Sequence, residues 1–366
     1  MNISQHQRLP LLYLLCALGV CSLSCQPEKE EAVDLSPNAD AIEVRSTHYR
    51  IPLNGQSQLV WQARTDFDRL VTNETQFYVD GQPMASNVFQ PSRTGTFSIT
   101  GRYKDLESPP VTVTVERPRN RKVLIESFTS SYCAWCPWAG HRVDSLTHHN
   151  EKVIGYSIHG LDAFQISAAP VLQEQLSVYG RPALRINRGY VRNFFTPTEL
   201  APLMDSIHYL LSFQPKLELS IHSELSANTL SASVQGKFYE PLADEAYLSV
   251  FLVEDKLTST QANAFAGGWK PACPYTDDPN PITNYENHHV LRQVLTAPLG
   301  DPIDTGGLSE GEIREIGAYS ATVSNITDLE EAWLIAFVHG RRDNIELSHV
   351  HNAQIVQAGQ SVDFEE

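Results

Sequence analysis

Two cysteines separated by two residues follow shortly after an apolar stretch, and this arrangement constrains the fold more than any other feature of the chain. Val123-Leu124-Ile125 has the composition of a short buried strand, and a turn-like segment leads from it to Cys133 and Cys136. A helix is expected to begin near Cys133. The pattern therefore predicts a strand, a turn and a helix whose start carries both cysteines.

This placement suits thiol–disulfide exchange. Free backbone N–H groups at a helix N-terminus favour the thiolate, so Cys133 is the predicted nucleophile. Cys136 lies one turn further in and is predicted to attack a mixed disulfide and release the substrate. A strand, turn, CxxC pair and helix in this order are typical of thioredoxin-like domains. Two alternatives stay open: a static structural disulfide, and half of a zinc site, although no second CxxC or suitable histidine pair stands nearby.

A proline further along the chain supports the same fold. Thioredoxin-like domains carry a cis-proline opposite the CxxC pair, and Pro182 lies between a predicted helix and a predicted strand, where this residue is expected. Arg181 would then lie beside the sulfur atoms, where its charge would stabilise the Cys133 thiolate. Stabilising the reduced form makes the disulfide a stronger oxidant. Glu126 is a candidate buried proton acceptor, although its spacing to Cys133 is one residue too long.

The region around these residues alternates between strands and helices. After the first strand, we predict a strand over 152–159, a helix over roughly 166–179, a strand over 183–187 and a helix that Thr196 opens and that runs through Leu211. A series of this kind in so short a segment predicts a compact α/β domain, which we place at residues 121–214.

The regions on either side have the pattern of strands. Between residues 43 and 116, apolar residues alternate with polar ones, as at Val111, Val113 and Val115, and Asp80-Gly81 is a hairpin signal. This region is predicted to be an immunoglobulin-like β-sandwich. Residues 216–359 are predicted to form a second β-sandwich with a long loop over 258–305. The predicted fold class is thus a multidomain chain with a thioredoxin-like domain between two β-sandwiches.

The N-terminus has the form of a lipoprotein signal peptide over residues 1–25. Arg8 precedes an apolar stretch over 11–20, which is too short to span a bilayer. A small residue, Ser24, precedes Cys25, and Cys25 is the predicted lipidation site (palmitate), with Cys21 as a rival. Ordinary secretion with cleavage nearby is the alternative. Residues 26–42 are a polar linker whose acidic start is either an export tag for the cell surface or only a solvated segment.

Composition excludes some classes of function. The formal net charge of −16 argues against binding to nucleic acid and against binding an anionic membrane surface by charge. The sequence contains no phosphate-binding loop and no ordered Ser-His-Asp set, so we predict neither a nucleotide nor another cofactor. An exported protein keeps its thiols in an oxidising compartment, where disulfides persist.

Several weaker signals remain. Calcium could bind in the long loop near Asp277, Asp278, Asp301 and Asp304, but no regular ligand spacing appears, and no metal site is predicted. His349 and His351 share one face of a predicted strand, which favours packing over metal binding. Cys273 is the odd thiol by count, once Cys25 is lipidated and Cys133 and Cys136 are taken as a pair. If it were exposed, it could form a mixed disulfide, for example with Cys133.

Several stretches resemble the 28-kilodalton outer-membrane protein family of Gram-negative lipoproteins. They are Glu126-x-Phe128-Thr129, Cys133-x-x-Cys136-Pro137, Gly180-x-Pro182 with Ile186-Asn187-Arg188, Tyr285-x-x-His288-His289-Val290-Leu291-Arg292, and His351-Asn352-Ala353-Gln354-Ile355-Val356. The resemblance covers most of the chain from Val123 onward. It implies an outer-membrane lipoprotein with a thioredoxin-like domain, a β-rich domain after it and often an immunoglobulin-like module before it. It also implies an adhesin-like role, but no substrate.

These observations lead to two functional hypotheses. The first is a lipid-anchored outer-membrane protein that exchanges disulfides with envelope or surface proteins through Cys133 and Cys136, with Pro182 and Arg181 shaping the site. The second is a non-enzymatic surface lipoprotein, an adhesin or binding module whose CxxC pair is a structural disulfide.

Overall fold

The computed structural model describes residues 39–189, 191–192, 200–242, 245–268, 273–323, 325–340 and 349–365. The signal peptide with Cys21 and Cys25, most of the linker over 26–42 and the helix cap at Thr196 lie outside them. Within the described residues, the chain forms 25 strands and only three α-helices. The prediction of a β-rich chain with several sheets is confirmed. None of these helices has both the length and the apolar character needed to cross a membrane.

The N-terminal region consists of short strands around a buried core. Its strands are β1 (Ile42–Arg45), β2 (Arg50–Pro52), β3 (Leu59–Val60), β4 (Gln62–Thr65), β5 (Gln76–Val79), β6 (Gln82–Pro83), β7 (Val88–Phe89), β8 (Gly95–Tyr103), β9 (Leu106–Glu107) and β10 (Val111–Glu116).

The main sheet of this region has the order β2-β10-β8-β5-β6, with β9 beside β8. Val113 lies opposite Phe97 in this sheet, and both side chains are buried together with Trp61. Asp80 and Gly81 both have positive φ and join β5 to β6, because a two-residue hairpin of the favoured twist requires that conformation. The alternating residues therefore fill one core, as their period of two indicates.

The central region contains the three described helices. Its elements are β11 (Val123–Thr129), α1 (Cys136–His149), β12 (Val153–His159), α2 (Ala169–Gln175), β13 (Ala183–Ile186), β14 (Val191–Arg192) and α3 (Leu200–Leu211). β11 pairs with β12 in parallel and with β13 antiparallel. Helix α2 is shorter than predicted, since Ser177 adopts a left-handed conformation directly after it and ends the helix.

The C-terminal region forms two packed layers. Its strands are β15 (Leu217–Ser226), β16 (Thr229–Phe238), β17 (Ala246–Glu254), β18 (Leu257–Gln261), β19 (Ile282–Asn287), β20 (Val290–Val294), β21 (Asp301–Ile303), β22 (Ile313–Thr322), β23 (Ala332–His339), β24 (Val350–Gln357) and β25 (Ser361–Val362). The sheet β22-β16-β15-β25 packs its apolar side chains against β17 and β23. β17 and β23 are near-continuous apolar runs, which is typical of central strands.

The segment over 258–305 is not one long loop as predicted, because it contains β19, β20 and β21 and most of β18. In β19, the alternation of apolar and polar residues is interrupted by a polar residue that faces inward. Asn287 is buried beside β18 and donates side-chain hydrogen bonds to Leu257 O at 2.9 Å and Ser259 Oγ at 3.0 Å. A buried polar side chain satisfied in this way interrupts the alternation of apolar residues that marks a strand.

One sheet joins the central and C-terminal regions. Its order is β14-β13-β11-β12-β20-β17-β23-β24, with β21 also paired to β17. The junction is parallel, and Ser157 of β12 donates backbone and side-chain hydrogen bonds to the carbonyls of His289 and His288. Tyr156, Phe251 and Phe337 pack together across it. The predicted domain limit near residue 215 is therefore not a limit of the sheet.

Candidate functional site

The two cysteines form a disulfide at the start of α1. Their sulfur atoms are 2.07 Å apart. After β11 ends, the chain makes two tight turns in which Cys133 N donates to Ser130 O and Cys136 N donates to Cys133 O, both at 3.0 Å. Cys133 is partly exposed, whereas Cys136 is only 2% exposed. An outside thiol can thus approach Cys133 more readily than Cys136.

Pro182 lies beside the strand that leads to this turn. The Arg181–Pro182 peptide bond is cis. Pro182 directly precedes β13, and the next residue, Ala183, lies opposite Phe128 of β11. Because β11 ends one residue after Phe128, the pairing places Pro182 near the end of the strand from which the disulfide turn begins.

Arg181 is fixed against the same strand end. Its Nε donates to Thr129 O at 3.0 Å, and its Nη2 donates to Gln173 Oε1. A Cβ atom at Gly160 would lie 1.9 Å from Nη2 of Arg181, so only glycine leaves room for the guanidinium. Burial lowers the pKa of Arg181, and the charge of Asp162 opposes this shift.

A distant segment covers one side of the disulfide turn. Ala262 N donates to Ser131 O at 2.9 Å, and Ala264 N donates to Ala134 O at 2.8 Å. The amide of Gln261, a residue only 1% exposed, donates to Cys133 O at 3.0 Å and Ser130 O at 3.3 Å. These bonds hold the backbone around Cys133 from outside the central region.

Aromatic side chains complete this cover. Phe265 is 1% exposed and packs edge-on against Trp135, with ring centroids 5.4 Å apart, and against Trp138 at 6.3 Å. Cys273 is buried in the same cluster. We call the side formed by Gln261 to Phe265, Trp138 and Cys273 the covered face. The prediction that Cys273 could be exposed and form a mixed disulfide with Cys133 is wrong, since this packing buries it.

Three apolar side chains near the disulfide turn or beside Arg181 are exposed. Tyr132, directly before Cys133, is 78% exposed, Leu161 is 76% exposed and Tyr179 is 91% exposed. Leu161 and Tyr179 line a cleft of about 340 Å³ together with Arg181. We call the exposed side chains of Tyr132, Leu161 and Tyr179 together the open face.

Glu126 belongs to a buried polar cluster. It is fully buried, accepts a hydrogen bond from Tyr156 Oη at 2.5 Å, and pairs with Arg188 Nε at 3.3 Å. Arg188 in turn lies 2.9 Å from His339 Nε2 and stacks over Phe337. Burial raises the pKa of Tyr156 far above its usual value. Arg188 thus links Glu126 of β11 to His339 of the C-terminal strand β23.

The metal candidates do not converge. In the parts of the chain that the structure describes, no three His, Cys, Asp or Glu side chains are grouped to hold a metal ion. The rings of His349 and His351 contact each other with centroids 4.8 Å apart. Burial lowers the pKa of His351 to about 3, and the ring is neutral at pH 7. Asp301 accepts hydrogen bonds from Ala297 N and Tyr319 Oη, so it has protein partners.

Comparison with known proteins identifies the family. A model of the outer membrane protein Omp28 family matches residues 169–361, which is more than half of the chain. This chain belongs to the Omp28 family. The match confirms the resemblance predicted from sequence and supports an outer-membrane location. It starts after α1, so it includes Arg181, Pro182 and Cys273 but not Cys133 and Cys136.

Solved structures add a likeness of fold. HBP35 of Porphyromonas gingivalis is 15% identical in sequence to this Omp28-family chain. The match covers 69% of this chain and 80% of HBP35, with a TM-score of 0.54. The adhesin InvE of Yersinia pseudotuberculosis is 8% identical over 89% of this chain and 59% of its own, with a TM-score of 0.16. The latter value is too low to indicate a shared fold. No curated protein matches the chain.

Proposed function

We propose that this Omp28-family protein is a lipid-anchored outer-membrane protein that exchanges disulfides with envelope or surface proteins. Cys133 is the nucleophile and Cys136 the resolving thiol. The observation that carries the proposal is the asymmetry of the pair, since Cys133 is partly exposed at the turn before α1 while Cys136 is buried at its first residue. Exchange requires an accessible attacking sulfur and a protected second one.

The arrangement of the central region, which we interpret as thioredoxin-like, supports this chemistry. β11 lies between parallel β12 and antiparallel β13, and the disulfide follows β11 at the start of a helix. Pro182 adjoins the same strand end, since Ala183 lies opposite Phe128. Backbone N–H groups at the start of α1 would favour the Cys133 thiolate after reduction. Arg181 is held near the strand end, where its charge acts in the same direction.

The open face supports a protein as the partner. Large apolar side chains that are exposed next to a reactive group favour contact with another polypeptide. Tyr132 adjoins Cys133, and Leu161 and Tyr179 line the cleft beside Arg181. A partner segment that carries a cysteine would bury these side chains while its sulfur meets Cys133.

Trapping of the mixed disulfide tests the proposal. In Cys136→Ser, a partner that is attacked by Cys133 cannot be released, so disulfide-linked adducts accumulate in cells and disappear on reduction. Cys133→Ser should give no adducts, and Cys273→Ser should leave trapping unchanged in the Cys136→Ser background. Absence of any adduct on Cys133 in the Cys136→Ser protein contradicts disulfide exchange.

The covered face favours a second candidate function. Backbone bonds from Ala262 and Ala264, and side-chain bonds from Gln261, hold the turn around Cys133. A turn fixed in this way suits a structural disulfide in a non-enzymatic adhesin or binding module. Under this alternative, replacing both cysteines by serine lowers stability but leaves attachment to the cell or matrix partner intact once the protein is folded.

The lipid anchor is tested independently. Cells grown with labelled palmitate should incorporate label into the wild-type protein and into Cys21→Ala, but not into Cys25→Ala. Label that persists in Cys25→Ala and is lost in Cys21→Ala would instead place the anchor on Cys21.

Protease added to intact cells distinguishes the outer face from the periplasmic face, because only a surface-exposed chain is degraded.

A further inference from the structure

A buried histidine–aspartate pair lies beside the turn that carries the disulfide. His159 ends β12 and lies opposite Thr129, the last residue of β11. Its Nδ1 is 2.8 Å from Oδ2 of Asp162, and each side chain is only 1% exposed. The same carboxylate oxygen accepts the backbone N–H of Ser131 at 2.8 Å. Since Ser131 is two residues from Cys133, the pair is attached directly to the cysteine turn.

The second ring nitrogen of His159 is open to a ligand. A hydrogen bond from Nδ1–H to Asp162 leaves Nε2 as the acceptor of a neutral imidazole. Nε2 is buried and has no hydrogen-bond partner in the described part of the chain. His159 also lines a cavity of about 50 Å³ between α1, β11 and β12. A buried hydrogen-bond acceptor beside a cavity is a suitable partner for a bound water molecule, and this volume is large enough to hold one.

The cavity extends to the helix of the disulfide. Its wall includes Gly140, which lies one helical turn beyond Cys136 and on the same face of α1. It also includes Ser127 and Thr129 of β11. A Cβ atom at Gly140 would lie only 2.9 Å from the hydroxyl of Tyr285. Because Gly140 has no side chain, α1 can approach Tyr285, which lines the same cavity.

Other titratable and charged groups also face this space or the histidine–aspartate pair. They are His141 and Asp144 from α1, Tyr156 from β12, Tyr275, Tyr285, His288 and His289 from the C-terminal region, and Arg181 beside Gly160.

Several of these groups are neutral or already engaged near pH 7. Burial lowers the pKa of His141 and raises the pKa of Tyr285. His288 is bound to Asp255, a hydrogen bond that raises the pKa of the histidine. Burial acts to raise the pKa of Asp162, but hydrogen bonds from His159, Ser131 and Phe164 lower it overall, so the carboxylate stays charged. An imidazole held by a charged carboxylate is well suited to accept a proton.

We propose that His159, oriented by Asp162, is the group that accepts the Cys136 proton during disulfide exchange, through water in this cavity. This inference rests on the proposed function. In the mixed disulfide, the Cys136 thiol gives its proton to water and the water gives one to His159 Nε2. The Cys136 thiolate attacks Cys133 Sγ, the new S–S bond forms, and the partner leaves as a thiolate. His159 then returns its proton to the departing thiolate or to solvent.

Glutathione provides a defined test on the full chain. The reduced protein is mixed with oxidised glutathione, and acid-quenched samples are analysed by mass spectrometry. The analysis separates formation of the Cys133–glutathione adduct from its resolution by Cys136. In His159→Gln, resolution should be about tenfold slower or more near pH 7, and its pH profile should move towards the ordinary thiol pKa of about 8.5. At high pH the two proteins should converge, because the thiol then ionises without assistance.

Matched variants distinguish this role from a structural one. Asp162→Asn should shift the same profile in the same direction. His222→Gln is the control, because His222 also lies beside an aspartate, Asp363 at 3.5 Å, but on the surface of β15. Its profile should equal that of the wild type. Near-ultraviolet circular dichroism establishes that each variant is folded, and Asp162→Asn decides the matter if His159→Gln does not fold.

Two negative results have different meanings. A folded His159→Gln or Asp162→Asn protein that resolves the adduct with the wild-type profile overturns the role of His159 and leaves disulfide exchange intact. A wild-type protein that forms no adduct, or never resolves it, overturns the proposed function itself.

Discussion

The covered face and the open face of the disulfide turn differ in the exposure of their side chains and in their hydrogen bonds to distant segments. On the covered face, Trp138 is 2% and Phe265 1% exposed, and backbone bonds join the turn to a segment about 130 residues further along the chain. On the open face, Tyr132 and Tyr179 are among the most exposed apolar side chains of the described residues. The contrast indicates that the covered face is packed against the rest of the chain, whereas the side chains of the open face are exposed to solvent.

Removing the aromatic contact of the covered face should have the largest effect on stability. Phe265→Ala leaves a cavity between Trp135 and Trp138 and should lower the free energy of unfolding by about 3–5 kcal/mol, measured by urea denaturation. Leu161→Ala, on the open face, is the control and should change it by less than about 0.5 kcal/mol. Equal effects of the two changes would remove the distinction between the faces.

Removing the polar contact of the covered face should have a smaller effect. Gln261→Ala leaves the carbonyls of Ser130 and Cys133 without its hydrogen bonds and should cost about 1–3 kcal/mol. Reduction of the disulfide by dithiothreitol should also become faster, because the turn is less constrained. Gln58→Ala, an exposed change in the N-terminal region, should alter neither quantity. An unchanged reduction rate in Gln261→Ala would show that the covered face does not restrain the disulfide.

Changes on the open face should leave stability nearly constant and affect only the partner. Tyr132→Ser and Tyr179→Ser should change the free energy of unfolding by less than about 0.5 kcal/mol. Exchange with a trapped protein partner should slow, while exchange with glutathione, which is too small to cover this face, should not. Equal slowing with both substrates would indicate damage to the cysteines and not loss of a contact surface.

Sequence patterns predict the features that are formed by residues close together in the chain. The CxxC spacing predicts the disulfide at the start of α1, and the alternation of Val111, Val113 and Val115 predicts β10. The family was also predicted from short motifs. Each of these properties is determined by residues that are close together in the chain, which a single sequence displays directly.

Contacts between distant segments could not be predicted in the same way. Ala262 and Ala264 bind the disulfide turn through backbone N–H groups, which any residue except proline offers. The pairing of β12 with β20 likewise includes a backbone hydrogen bond, from Ser157 N to His289 O. Glu126 is a candidate at the cysteines because it lies on the strand that leads to them. Its partner in the structure, Arg188, is 62 residues away, so the sequence does not display this pair. His159 and Asp162, by contrast, are three residues apart, and this spacing at a strand end was a usable signal.

The reduction potential of the Cys133–Cys136 disulfide tests the central claim most directly. The protein is equilibrated in a series of glutathione buffers, free thiols are labelled, and the fraction reduced gives the potential, with Cys273→Ser used so that only two thiols report. A reactive exchanging pair predicts a value above roughly −230 mV, in the range of oxidoreductases and isomerases. A value below about −300 mV, where structural disulfides usually lie, would contradict exchange and favour the binding module.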